Sequence, residues 1–229
     1  MINNSNQSQT LQTQVYEYLH NKIVSGDIPP GQRVVEQKIV EETGVSRSPI
    51  REAIRRLSSE GLVTVHPRGG VRVYRATNSD FKYLYECRLS LEPTAAYLAA
   101  IRINDVQLVQ FNQLMKEMKV AIEGNDLHNL KKLSSGYHDM ILEISGNPYL
   151  KKLMNQLNSL ILFYRNLILN SSQRLETGSD EHEAIWQAIC ERDAKAAETL
   201  MREHIKSDYQ FYISKYPESS RADMLMDEN

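Results

Sequence analysis

Arg47, Arg51 and Arg55 recur every four residues, and His138, His182 and His204 each sit on or beside an apolar helical stripe. On a helix advancing about 100° per residue, the three arginines fall within about 80° of one another. Guanidinium forks at that spacing suit phosphate oxygens and the acceptor edge of guanine. Neutral imidazoles are nitrogen donors, and several meeting inside a helical domain suit zinc, nickel or a similar divalent ion. The two sets need different scaffolds.

The arginines need a helix that packs on one face and presents the other. Ile50, Ala53, Ile54 and Leu57 occupy an arc separate from the arginines, and Gly61 ends the segment. Ser46 or Ser48 offers an N-cap, with Pro49 at a position tolerated in a first turn. Thr43-Gly44-Val45 separates this helix from a shorter one with Val35, Ile39 and Val40 inward. Before it, Leu11, Val15, Tyr18, Leu19 and Ile23 predict another amphipathic helix, closed by Gly26 and the Pro29-Pro30-Gly31 turn. After it, Leu62–Val65 and Val71–Tyr74 read as paired strands joined by His66-Pro67-Arg68-Gly69-Gly70. Helix, glycine turn, helix and basic hairpin predict a winged helix-turn-helix over residues 11–76, with Arg68 and Gly69 at the wing tip. A solvated basic face is the plain alternative for the arginines taken alone.

The charge distribution agrees with a nucleic-acid role. The chain has 229 residues, 27 Lys+Arg and 29 Asp+Glu, a net charge of -2. Residues 47–75, however, hold seven Arg against two Glu, while the stretch after residue 76 is acidic. With 41% hydrophobic residues the chain can bury a core, and no run approaches the ~20 apolar residues of a membrane span. Cys87 and Cys190 make no disulfide framework, and the polar N-terminus is no secretory signal, so a cytoplasmic protein is expected.

The histidines need a helical interior. From residue 78 to 215 there is no strand signal; the predicted helices are 80–101, 105–123, 126–145, 148–170, 180–191 and 193–216. Asn104, Asn125 and Ser179 are candidate caps, residues 171–178 read as a loop, and Pro93 predicts a kink. The fold class is mainly α: a winged helix followed by an antiparallel bundle of six to seven helices spanning 77–216, with disordered tails at 1–10 and 217–229. His138 lies at the edge of a stripe formed by Leu127, Leu130, Tyr137, Ile141 and Ile144, with Ser134 in the seam. His182 shares a stripe with Ile185, Trp186 and Ile189, and His204 one with Ala197, Leu200 and Phe211. Each alone reads as a core histidine; three from three helices read as a metal site. His20 and His128 are placed on solvated faces.

Gly31-Gln32-Arg33, Val45-Ser46-Arg47-Ser48-Pro49-Ile50-Arg51-Glu52-Ala53, Arg56-Leu57 and Glu60-Gly61-Leu62-Val63 closely resemble the winged-helix signature of GntR-type bacterial transcription regulators. The resemblance implies operator contacts by Arg47 and Arg51, with Ser46 and Ser48 touching phosphate or base. A base-contacting arginine of better-known members falls on Gln37, a departure that bears on the half-site sequence. The rest of the chain resembles the all-helical FCD ligand-binding domain of the FadR-like subfamily. The pieces are Arg88-x-x-x-Glu92, Tyr137-His138, Ser145-Gly146-Asn147, Glu181-His182-x-x-Ile185 and Ala197-x-x-x-Met201-x-x-His204.

Metal-binding members use an acid or amide four residues before the first histidine, plus three histidines. The three match His138, His182 and His204, while the acid position is Ser134, a neutral oxygen. The resemblance further implies a homodimer on double-stranded operator DNA, acting as a repressor. Its effector would be a small carboxylate held at or near the metal by Arg88 or Arg165, whose alternative role is an inter-helix ion pair. Two other functions are compatible with parts of the pattern: a regulator holding an acyl-type ligand without metal, and a three-histidine metal enzyme. The enzyme lacks a general base, since Asp139 and Glu183 adjoin the histidines in sequence but point about 100° away. Metal itself as the signal is opposed by the absence of cysteine among the ligands.

Overall fold

The computed structural model describes residues 10–66, 70–75, 77–168 and 172–215. The described chain divides into two compact units. The first runs to Thr77 and takes in residues 156–164; the second holds Asn78–Asn155 and the chain from Arg165.

In the first unit, α1 (Leu11–Val24) buries Val15, Tyr16, Leu19 and Ile23. Tyr16 is thus the more buried tyrosine of this helix, Tyr18 is half-buried, and Leu11, expected inward, is exposed. The Tyr16 hydroxyl donates to Glu60 at 2.7 Å, which explains its inward position. α2 (Glu36–Thr43) buries Ile39 and Thr43 and ends at Gly44, whose φ of 72° a side chain would strain. Val35, expected inward, is the exposed residue at its start. α3 (Arg47–Ser59) buries the expected Ile50, Ala53, Ile54 and Leu57. Ser46 stands at its N-cap but makes no side-chain capping bond.

Among the described residues, three strands complete this unit: β1 (Arg33–Val34), β2 (Val63–His66) and β3 (Gly70–Val73), in the order β1-β3-β2, both pairs antiparallel. Val63 faces Val73 and His66 faces Gly70 across the hairpin. The added strand β1, absent from the sequence reading, pairs Arg33 with Arg72. Arg68 and Gly69 lie outside the described residues, as do the tails at 1–9 and 216–229.

The second unit is helical: α4 (Asn78–Arg102), α5 (Asp105–Glu123), α6 (Leu127–Ile144), α8 (Ser172–Cys190) and α9 (Ala194–Lys215), with both ends of α7 (Pro148–Ile168). α4 packs on α6, α8 and α9, and α5 packs on α6. The α4 helix runs unbroken through Pro93. Asn104 caps α5 in a reciprocal box with Gln107, as expected. Asp126, not Asn125, caps α6, and Asn125 takes a positive φ of 51° instead. The predicted loop 171–178 is largely helix: α8 begins at Ser172, eight residues before the expected start.

The mainly α class and the winged helix followed by a helical bundle match the sequence reading. Among the described residues, no helix is long and apolar enough to cross a membrane.

Candidate metal centre and nucleic-acid interface

α3 presents Arg47, Arg51 and Arg55 on one exposed face while its apolar arc is buried. Their intramolecular partners are polar and wet. Arg47 donates to the Gln37 side chain at 3.0 Å, Arg51 Nε to both Glu36 oxygens at 3.1 Å, and Arg55 pairs with Glu52 at 2.7 Å. Exposed pairs of this kind contribute about 0–1 kcal/mol, so exchanging them for phosphate or base edges costs little. Ser46 and Ser48 lie exposed beside Arg47, and Gln37 is brought to the same face from α2. The exposed Arg33 and Arg72 add positive charge on the sheet.

In the second unit, α6, α8 and α9 bring His138, His182 and His204 together. All three are buried, and each offers one ring nitrogen within 4.8 Å of the other two. Their burial comes from the stripes on which they lie. α6 buries Ser134, Tyr137, His138 and Ile141, so His138 is inside the seam and not at its edge. Leu127, expected in that stripe, is exposed. α9 buries Ala197, Met201, His204, Ile205, Asp208 and Tyr212; the expected Leu200 and Phe211 are only half-buried. His182 stacks on Tyr137 at 4.2 Å between ring centres. His128 is exposed as expected, whereas His20 is half-buried, its ring 3.3 Å from the Ser159 hydroxyl.

Two carboxylates orient the rings. Glu92 Oε2 lies 2.6 Å from His138 Nδ1, and Glu181 Oε2 lies 2.7 Å from His204 Nδ1. An ionised carboxylate only accepts, so each Nδ1 donates and each Nε2 is turned to the centre. Both nitrogens of His182 and Nε2 of His204 are buried without a hydrogen-bond partner. In a neutral ring one nitrogen carries a proton and the other a lone pair, so His182 and His204 each bring one orphaned lone pair that fits a metal ion.

Burial keeps the rings of His138 and His182 neutral. Burial, reinforced by Arg165, pushes the His138 pKa down to about 3, and burial holds His182 well below its ordinary value. Burial opposes the charge on Glu92, yet Arg88 and His138 hold its carboxyl well below the usual range.

The cavity at this centre offers about 20 Å³ to the centres of water-sized molecules, room for an ion or a water or two. Ser134, His138, Arg165, His182, His204 and Asp208 line it. Of the two arginines assigned to the effector, Arg165 thus faces the cavity. Arg88 is fully buried behind Glu92, with its Nε 2.5 Å from Oε1, and its two terminal nitrogens make no hydrogen bond.

Comparison with known proteins decides the family. The FCD domain family matches residues 83–207, and the family described as bacterial regulatory proteins, gntR family, matches residues 11–73. The chain belongs to the GntR family of regulators. It is 31% identical to the HTH-type transcriptional regulator YdhC of Bacillus subtilis, over 85% of this chain and 88% of that one. It is 26% identical to the HTH-type transcriptional repressor RspR of Escherichia coli, over 88% of each. Its fold is that of McbR/YncC of E. coli, with a TM-score of 0.79 at 20% identity over 91% of this chain and all of the other. This GntR-family chain is therefore a DNA-binding transcription regulator and not an enzyme.

The regulator's centre also contains residues that sequence reasoning passed over. Arg174 was placed in a loop, yet it lies buried on α8 and binds Asp208 at 2.7 Å and Glu181 at 2.7 Å. Asp208 is buried one turn after His204, a spacing that could have flagged it. Glu92 and Glu181 appeared only as motif letters, without their role on the histidines.

Proposed function

We propose that this regulator is a repressor whose helical domain, residues 77–216, holds a divalent metal and senses a small carboxylate there. The observation carrying the proposal is the convergence of three buried imidazoles, two of which, His182 and His204, have unpartnered nitrogens. His138, His182 and His204 would hold zinc or nickel, with Ser134 facing the same cavity. A bound ion supplies an open Lewis-acid position for an effector carboxylate. Arg165 lies where it can take the effector's other oxygens, and Arg88 reinforces the positive field from behind Glu92.

The winged helix, residues 11–76, would bind each half of a palindromic operator as part of a homodimer. Arg47 and Arg51 would read base edges, with Ser46, Ser48 and Gln37 beside them and Arg68 and Gly69 at the wing. Effector binding shifts the population between dimer geometries that do and do not fit two half-sites. On this reading the chain would belong to the FadR-like subfamily, with which its FCD match agrees. The cavity at the histidines has room for an ion and a small group but not for an acyl chain.

The test is an operator mobility shift with zinc-loaded and metal-free protein, titrated with a panel of small carboxylates. Release of DNA by one carboxylate from the zinc-loaded form alone is expected. Release that is indifferent to metal contradicts the proposal.

A further inference from the structure

The three imidazoles are neutral donors, so a divalent ion among them keeps its full charge. Arg165 on the cavity wall and the buried Arg174 make an uncompensated dication costlier still. The acids on α4 and α8 are committed elsewhere. Glu92 holds Arg88 and His138 Nδ1, and Glu181 holds Arg174 and His204 Nδ1. The hydroxyl of Ser134 is neutral.

Asp208 is different. It is buried, and its Oδ1 accepts from Arg174 Nε at 2.9 Å and lies 2.7 Å from Arg174 Nη2. Its Oδ2 makes no hydrogen bond among the described residues: Arg88 Nη1 is 3.6 Å away and His204 Nε2 is 3.9 Å away. His204 Nε2 is itself the unpartnered nitrogen of its ring. Metal–ligand bonds of about 2.0–2.2 Å put two donors on one ion roughly 3–4 Å apart. The separation between Oδ2 and Nε2 falls in that range, and both residues line the same cavity. The group whose ligand atoms all lie within 4.8 Å of one another is the three histidines alone, so Asp208 moves toward His138 and His182 to share their ion.

We infer that Asp208, one turn beyond His204 on α9, is the anionic ligand of this centre, completing a three-histidine, one-carboxylate set in which Ser134 is not a donor. Arg174 acts on it as a positioning residue: by engaging Oδ1 it leaves Oδ2 directed to the ion. The inference rests on the histidine centre proposed above.

Zinc affinity of the full chain is measured by competition with a chromophoric chelator, and the visible spectrum is recorded with cobalt(II) in place of zinc. Asp208→Asn is expected to weaken zinc at least tenfold and to change the cobalt bands. Ser134→Ala is expected to leave both within twofold of the parent. Asp208→Asn also strips Arg174 of a partner. If it does not fold, Ser134→Ala decides, because it leaves every ion pair in place; a tenfold loss of zinc there would make Ser134 the donor and overturn the inference. A folded Asp208→Asn with unchanged affinity, or with weaker affinity but an unchanged cobalt spectrum, also overturns it. A parent chain that takes up neither metal defeats the histidine centre itself, a result distinct from failure at Asp208 alone.

Discussion

Glu92 joins the two halves of the centre's electrostatics: its Oε2 accepts a hydrogen bond from His138 Nδ1 at 2.6 Å while its Oε1 accepts one from the fully buried Arg88 at 2.5 Å. One carboxylate thereby fixes the histidine tautomer and compensates a guanidinium. Glu92→Gln leaves the buried Arg88 with only the 3.6 Å ion pair to Asp208, a loss that costs up to about 3–5 kcal/mol. Denaturant unfolding of the metal-free protein should show that loss. A midpoint equal to the parent's would mean that Arg88 finds its main partner elsewhere.

His182 behaves differently under substitution. Neither ring nitrogen has a partner to orphan, and the Tyr137 hydroxyl bonds its backbone carbonyl, which any residue provides. His182→Ala should therefore keep the fold at a cost of about 1–3 kcal/mol and keep the oligomeric state, yet lose bound metal. Full metal occupancy in the variant would place the ion elsewhere.

The DNA face predicts loss of function without loss of stability. Arg47 and Arg51 are exposed, so alanine at either should shift stability by about 0.5 kcal/mol or less. Each should cost about 1–3 kcal/mol of operator binding and relax specificity at its base pair. Footprints unchanged from the parent would remove α3 from the major groove.

The metal-free protein should lose stability as the solution turns acid. His138, at about 3, and His182, well below its ordinary value, bind fewer protons folded than unfolded. The unfolded chain takes them up near pH 6.5, so stability falls as pH drops below that value. The slope is up to about 1.4 kcal/mol per pH unit for each group. Thermal midpoints between pH 8 and 5 check this. A flat profile would mean that the rings titrate normally and face water.

Much of this was legible in the sequence because periodicity carries it. Ile50, Ala53, Ile54 and Leu57 against Arg47, Arg51 and Arg55 define α3 directly, and the three histidines declare themselves by lying on or beside apolar stripes. Strand β1 escaped because two residues have no periodicity. The start of α8 escaped because Gly178 and its polar neighbours read as a loop. In the fold, Gly178 gives Arg174 room: a Cβ there would stand 3.2 Å from the guanidinium. Asp208 escaped because a buried acid on a helix looks like a surface residue until its partners, Arg174 and Arg88, are known. Ion pairs between helices leave no local pattern.

The most direct test of the metal centre is the metal content of the chain. Protein purified without a nickel column, incubated with zinc and desalted, is analysed by elemental mass spectrometry. Near one equivalent of divalent metal per chain, lost in His182→Ala, is the expected result. A chain that stays metal-free after zinc is added would contradict the account.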